Sequence, residues 1–207
     1  MSLASDTDLW MFVTSGGGLT CGRVDPDGSL FPYRTVDQLH DAHHHTGPVT
    51  LFRVGRDGAE VVLWEPFAAP DTLDNALERN LYKNTLGNKL CLEEINDDLG
   101  LTFRYTWSTS EEFGFVRDCE MRNVGADTAE IEVLDGLQNV LPAGTPRFTQ
   151  TNSSNLVNAY KWAEIDESTG LAFLALYFQT GAESFGFAHL VEAGAAIDRD
   201  VQVWIFA

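Results

Sequence analysis

Phe113-Gly114-Phe115-Val116-Arg117-Asp118-Cys119-Glu120-Met121 is the stretch that decides the fold class. In an extended chain, successive side chains point to opposite faces. Phe113, Phe115, Arg117, Cys119 and Met121 therefore share one face, and Gly114, Val116, Asp118 and Glu120 the other. A strand with one dry and one wet face belongs to an antiparallel sheet. Asn123-Val124-Gly125-Ala126-Asp127-Thr128 supplies turn chemistry, and Glu130-Ile131-Glu132-Val133 alternates again. The pattern predicts a long hairpin joining these two strands.

Outward from this core the same period of two recurs. Upstream it predicts strands at 10–14, 51–54, 61–64, 90–95 and 101–107, and downstream at 156–163, 171–178, 185–189 and 201–207. Helical signal is scarce. Thr35-Val36-Asp37-Gln38 reads as a capping box opening a helix through 39–43, and Leu73, Leu77 and Leu81 predict a second short helix over 74–81. Both are too short for the crossovers of a parallel sheet. The expectation is an all-β, antiparallel sandwich with one or two short helices, a single domain over 1–207 with residues 1–8 as a leader or disordered. Val201, Val203 and Ile205 alternate with Gln202, Trp204 and Phe206, so both faces of the last strand are largely apolar. Such a strand is expected either to dock into the domain's own sheet or to drive a homodimer, and to mark the N-terminal part of a longer protein.

Composition narrows the function. The chain of 207 residues carries 13 Lys+Arg against 31 Asp+Glu, a formal net charge of −18. Such a surface repels phosphate backbones and anionic lipid, which argues against nucleic-acid and membrane partners. No apolar stretch approaches the ~20 residues of a membrane helix, and the N-terminus lacks a basic, apolar leader. Three separated cysteines read as reduced thiols, and a cytoplasmic location is expected.

No catalytic constellation stands out. His40 and His43-His44-His45, near Asp37 and Asp41, could ligate a metal, but contiguous ligands without a second group read as a solvated cluster. Gly16-Gly17-Gly18 lacks the continuation of a phosphate loop and reads as a bend or a place of close packing. Adjacent acids such as Glu93-Glu94 point to opposite faces of a strand and cannot act as a facing dyad. No cofactor or metal is expected. Tryptophans remain: Trp10, Trp64, Trp107, Trp162 and Trp204 all fall on predicted strands, and an indole face can stack on a sugar ring.

A family likeness points the same way. Trp64-Glu65-Pro66-Phe67 is followed by Asn80-Leu81-Tyr82-Lys83-Asn84, Gly87-Asn88-Lys89, Glu93-Glu94-Ile95-Asn96, Leu99-Gly100-Leu101-Thr102-Phe103-Arg104-Tyr105-Thr106-Trp107 and Leu134-Asp135-Gly136-Leu137-Gln138-Asn139. Over residues 9–165 this resembles the N-terminal region of cellobiose-phosphorylase-like proteins, related to glycoside hydrolase family 94. The resemblance implies a β super-sandwich similar to galactose mutarotase, placed before a downstream (α/α)6 catalytic domain that carries the chemistry. It carries over no catalytic residue. The expected function is a non-catalytic, carbohydrate-associated domain, with Trp64, Trp107 and Trp162 as candidate sugar contacts. Two alternatives stand beside it. One is a mutarotase-like epimerase using His189 with Glu93 or Glu94 as acid and base. The other is a structural oligomerisation module.

Overall fold

The computed structural model describes residues 1–43, 45–56, 60–68, 76–142, 145–166, 168, 171–177, 183–189, 191–197 and 201–206. It describes their side chains through Lys161, with those of Ala163 and Ser168. Among the described residues, fifteen strands and two short helices form an antiparallel β-sandwich, and every strand pair is antiparallel.

The largest sheet has five strands: β6 (Leu77–Lys83), β7 (Lys89–Asn96), β8 (Leu101–Ser110), β9 (Gly114–Asn123) and β15 (Val201–Phe206), in the order β15-β9-β8-β7-β6. A second sheet holds β4 (Gly47–Gly55), β5 (Val62–Trp64), β10 (Ala129–Gln138) and β14 (Val191–Ile197), in the order β14-β10-β4-β5. Three strands near the N-terminus, β1 (Ser2–Leu3), β2 (Leu9–Val13) and β3 (Leu19–Arg23), make a third. A fourth contains β11 (Lys161–Asp166), β12 (Leu171–Tyr177) and β13 (Glu183–His189). One continuous core joins the first three sheets, running from Met11 and Leu19 through Phe52 and Ile131 to Leu92, Phe103 and Phe115. Its centre is aromatic. Phe52 of β4 meets Phe103 of β8 edge to face at 5.0 Å, and Phe67 meets Tyr105 of β8 in the same way at 5.3 Å.

Four differences from the sequence reading have physical causes. The predicted hairpin between β9 and β10 does not form. β9 pairs with β8 and β15, while β10 pairs with β4 and β14. The 123–128 turn instead carries the chain from one sheet to the other, and it rests on the preceding turn, where Val124 N and Gly125 N donate to Gly100 O at 2.9 and 3.0 Å. The predicted helix at 74–81 is replaced by strand β6, paired with β7 so that Arg79 stands opposite Glu94; residues 74 and 75 lie outside the described residues. The predicted strand at 156–163 is mostly helix, α1 (Arg147–Asn152) and α2 (Ser154–Tyr160), before β11 begins at Lys161. Finally, Ser2–Leu3 is part of the fold: Leu3 is buried, and the Met1 ammonium donates to Val13 O at 2.8 Å. The last strand docks into the chain's own five-stranded sheet, Gln202 opposite Glu120 and Ile205 opposite Arg117.

Candidate functional site

A cleft of about 90 Å³ opens at one end of the sandwich, and its walls come from stretches far apart in the chain. The β2–β3 turn contributes Gly16 and Gly17. This turn is tight: Thr14 N donates to Gly18 O at 2.8 Å, and Gly17 sits at φ +86°, a left-handed conformation that suits glycine. A Cβ on Gly17 would meet the Tyr105 hydroxyl at 2.7 Å, so the bare backbone lets that phenol approach the cleft floor. A Cβ on Gly18 would strike His43 N at 2.9 Å. The glycine triplet is thus a place of close packing against the segment around His43.

His43 follows a short 3-10 turn over Leu39–Ala42 and lines the cleft. Its Nδ1 lies 3.1 Å from His40 O. A carbonyl only accepts, so Nδ1 is the donor in this hydrogen bond. His40 and His45 are exposed, and His44 lies outside the described residues. Only part of the histidine run is therefore the solvated cluster expected of it, since His43 is partly buried against Gly16.

The opposite wall is Glu65-Pro66-Phe67-Ala68, just past β5. Phe67 has φ +64°, costly for an aromatic residue and therefore held by its surroundings. The holder is Glu94 of β7, whose side chain is 0% exposed. Its carboxylate accepts from Phe67 N at 2.8 Å, from Trp64 Nε1 at 2.8 Å and from Arg79 Nε at 2.7 Å. Arg79 also donates to Ala68 O at 2.7 Å. One buried carboxylate on the five-stranded sheet thereby fixes the wall that the four-stranded sheet sends out.

Beneath the cleft runs a second buried polar group. Thr50 and Tyr105 line the cleft from β4 and β8. The Thr50 hydroxyl donates to Asp135 Oδ1 at 2.5 Å and accepts from Arg117 Nη2 at 3.0 Å. Arg117 Nη1 reaches Asp135 Oδ2 at 2.7 Å, and its guanidinium lies 4.6 Å from the centre of the Tyr105 ring. Burial pulls the Arg117 pKa down, but Cys119, Asp135 and Tyr105 outweigh it and the net shift is upward. Burial also pushes the Tyr105 phenol up and takes the Cys119 thiol to about 12. At neutral pH the cleft floor therefore presents a neutral phenol backed by a permanent cation.

The expected sugar contacts fall elsewhere. Trp107 is 1% exposed and Trp64 5%, so both are core residues with no ring face open to solvent. The side chains of Trp162 and Trp204 lie outside the described residues. Trp10 is partly exposed, but a Cβ on Gly22 would meet its ring at 2.7 Å, so the indole packs closely over Gly22 of β3. His189 belongs to β13 of the three-stranded sheet β11–β13, while Glu93 and Glu94 belong to β7. Glu93 lies on the other face of the sheet from Glu94 and is buried by its partners, accepting from the Tyr82 hydroxyl at 3.0 Å and paired with Arg104 at 3.4 Å. The imidazole and carboxylate that do line one cleft are His43 and Glu65, joined there by Gln138. No known protein-family model and no curated protein sequence matches the chain.

Proposed function

We propose that this chain is a non-catalytic, carbohydrate-associated β-sandwich domain of a cellobiose-phosphorylase-like protein, and that the cleft of His43, Glu65 and Gln138, too small to enclose a sugar ring, is where it grips the edge of one. The observation that carries the reading is the convergence of an imidazole, a carboxylate and an amide on one cleft, beside the Tyr105 hydroxyl. Hydroxyl-rich ligands are held by polar groups that both donate and accept, set around a small, largely pre-formed concavity. In this reading a downstream (α/α)6 domain supplies the chemistry, and self-association through a sheet edge is compatible with it. Titration with cellobiose and glucose, followed by NMR, tests it. Saturable shifts at His43 and Gln138 that Glu65→Gln and Gln138→Ala reduce support the proposal. Shifts absent at about 20 mM sugar, a concentration where even a mM binder is near saturation, reject it.

A mutarotase-like epimerase is the second reading, favoured by His43 and Glu65 lining the same cleft. Acceleration of anomer exchange in freshly dissolved glucose or galactose, lost in His43→Gln, would select it over the binding domain.

A further inference from the structure

A second cavity, of about 280 Å³, lies between the end of β10 and helix α2. Its apolar lining is Pro32, Leu141 and Val157, the last two buried. Asn139, Ser154 and Asn158 add polar groups, and Lys161, the first residue of β11, closes one side. This is close to the lower limit of small-molecule sites, which run from about 300 Å³ upward, and it suits a single sugar ring.

Lys161 is the unusual member. The ammonium is partly buried, and burial pulls its pKa down. Its Nζ donates to Val140 O at 2.6 Å, but among the described residues it forms no ion pair. In a chain with 31 acids and 13 bases, a half-buried cation whose one partner among the described residues is neutral is out of keeping with the rest. Withdrawing an ammonium from water costs free energy unless an opposite charge meets it. Among the described residues, two of its three N–H donors remain for such a partner. Around it, the Asn139, Ser154 and Asn158 side chains make no hydrogen bond among the described residues, whereas Gln150 is already engaged with Tyr33 N and Thr145 O. Asn139 is held at φ +62°, a conformation asparagine tolerates better than most residues.

We infer that this groove is a site for a small hydroxylated anion, a sugar acid or sugar phosphate. Lys161 pairs with the oxyanion, and Asn139, Ser154 and Asn158 meet the hydroxyls. The net charge of −18 does not forbid this, because exposed charges are screened beyond about 8 Å at physiological salt and the nearest cation then decides. The site is separate from the cleft of His43 and does not depend on the sugar reading of it.

The test is a titration of the full chain with glucose 6-phosphate, glucuronate, glucose and inorganic phosphate, read by calorimetry and by NMR of the asparagine side-chain amides. Both anionic sugars are expected to bind saturably and to shift Asn139 and Asn158, with glucose and phosphate each at least about tenfold weaker. Lys161→Gln should bring the anionic sugars down to the level of glucose, and Lys161→Arg should retain them. Asn158→Ala, on an exposed helix face, should weaken both without lowering the melting temperature, which covers the case in which Lys161→Gln fails to fold. The inference is overturned by the absence of saturation by either anionic sugar, by unchanged binding in Lys161→Gln or Asn158→Ala, or by phosphate alone binding as tightly as glucose 6-phosphate.

Discussion

Arg117 of β9 and Asp135 of β10 meet at 2.7 Å across the sandwich, in two different sheets, with side chains 0% and 5% exposed. Arg117 Nε makes no hydrogen bond, so the desolvation of the pair is incompletely compensated. Removing one partner strands a buried charge, whereas removing both relieves the whole cost. Arg117→Met alone should destabilise the fold by about 3–5 kcal/mol, and the double variant Arg117→Met, Asp135→Leu should recover most of that loss. Chemical denaturation of the three proteins checks it. A double variant as unstable as the single one would contradict the account.

Glu94 accepts from three donors at once and fixes the left-handed backbone at Phe67. Glu94→Gln turns an amide N–H₂ toward groups that also donate. Stability should fall by about 3 kcal/mol, within the range for a broken buried pair. The loss should be accompanied by new resonance positions for Phe67, Ala68 and His43, because the cleft wall is released. Unmoved resonances in that wall would show that Glu94 does not position it.

Val24 sits at φ +62° with 76% of its surface exposed. A β-branched side chain in the left-handed region is strained by roughly 1–2 kcal/mol, and so exposed a valine contributes little packing in return. Val24→Asn or Val24→Gly should therefore raise the melting temperature, asparagine by a few degrees. A lower melting temperature in both variants would show that the strain is relieved in some other way.

Asp118 has a raised pKa, first through burial and then through the nearby charge of Glu120, with Lys89 opposing. Its Oδ1 is buried without a partner. A carboxyl group harder to ionise in the folded state than in the unfolded chain weakens the fold once pH rises above its unfolded value of about 3.9. Asp118→Asn should melt higher than the parent at pH 7, and the two should converge near pH 3. Melting curves across this range decide it, and a constant gap would rule out titration as the cause.

Alternation located most strands because one wet and one dry face is a local property. The partner of each strand is not local. Phe115 and Met121 on β9, and Ile131 on β10, each read as core residues, yet face-to-face packing and edge-to-edge pairing demand the same pattern. The sandwich was therefore legible while the hairpin was not. Residues 77–83 fit a four-residue leucine spacing and a strand equally well, and the pairing with β7, which sets Arg79 opposite Glu94, separates the two. At α2, the N-cap residue Ser153 makes no side-chain capping bond, so the start of the helix carries no capping box to read. The elements of the cleft were each visible as a glycine triplet, a histidine run, Trp64-Glu65-Pro66-Phe67 and Leu137-Gln138-Asn139. Their convergence depends on topology alone.

The crossover from β9 to β10 also governs how the chain is made. β4 pairs with β10, Gly47 opposite Gln138, and β9 pairs with β15, Val116 opposite Phe206. In each case the partners lie on the order of 90 residues apart, which at synthesis rates of about 5–20 residues per second leaves each first strand waiting roughly 5–20 s on the ribosome. Non-local pairing of this kind also slows refolding, into the millisecond-to-second range typical of β-sandwiches. During that wait β4 has β5 on one edge, Phe52 opposite Trp64 and Val54 opposite Val62, while its other edge stays open, and the acidic chain's self-repulsion opposes association through that edge.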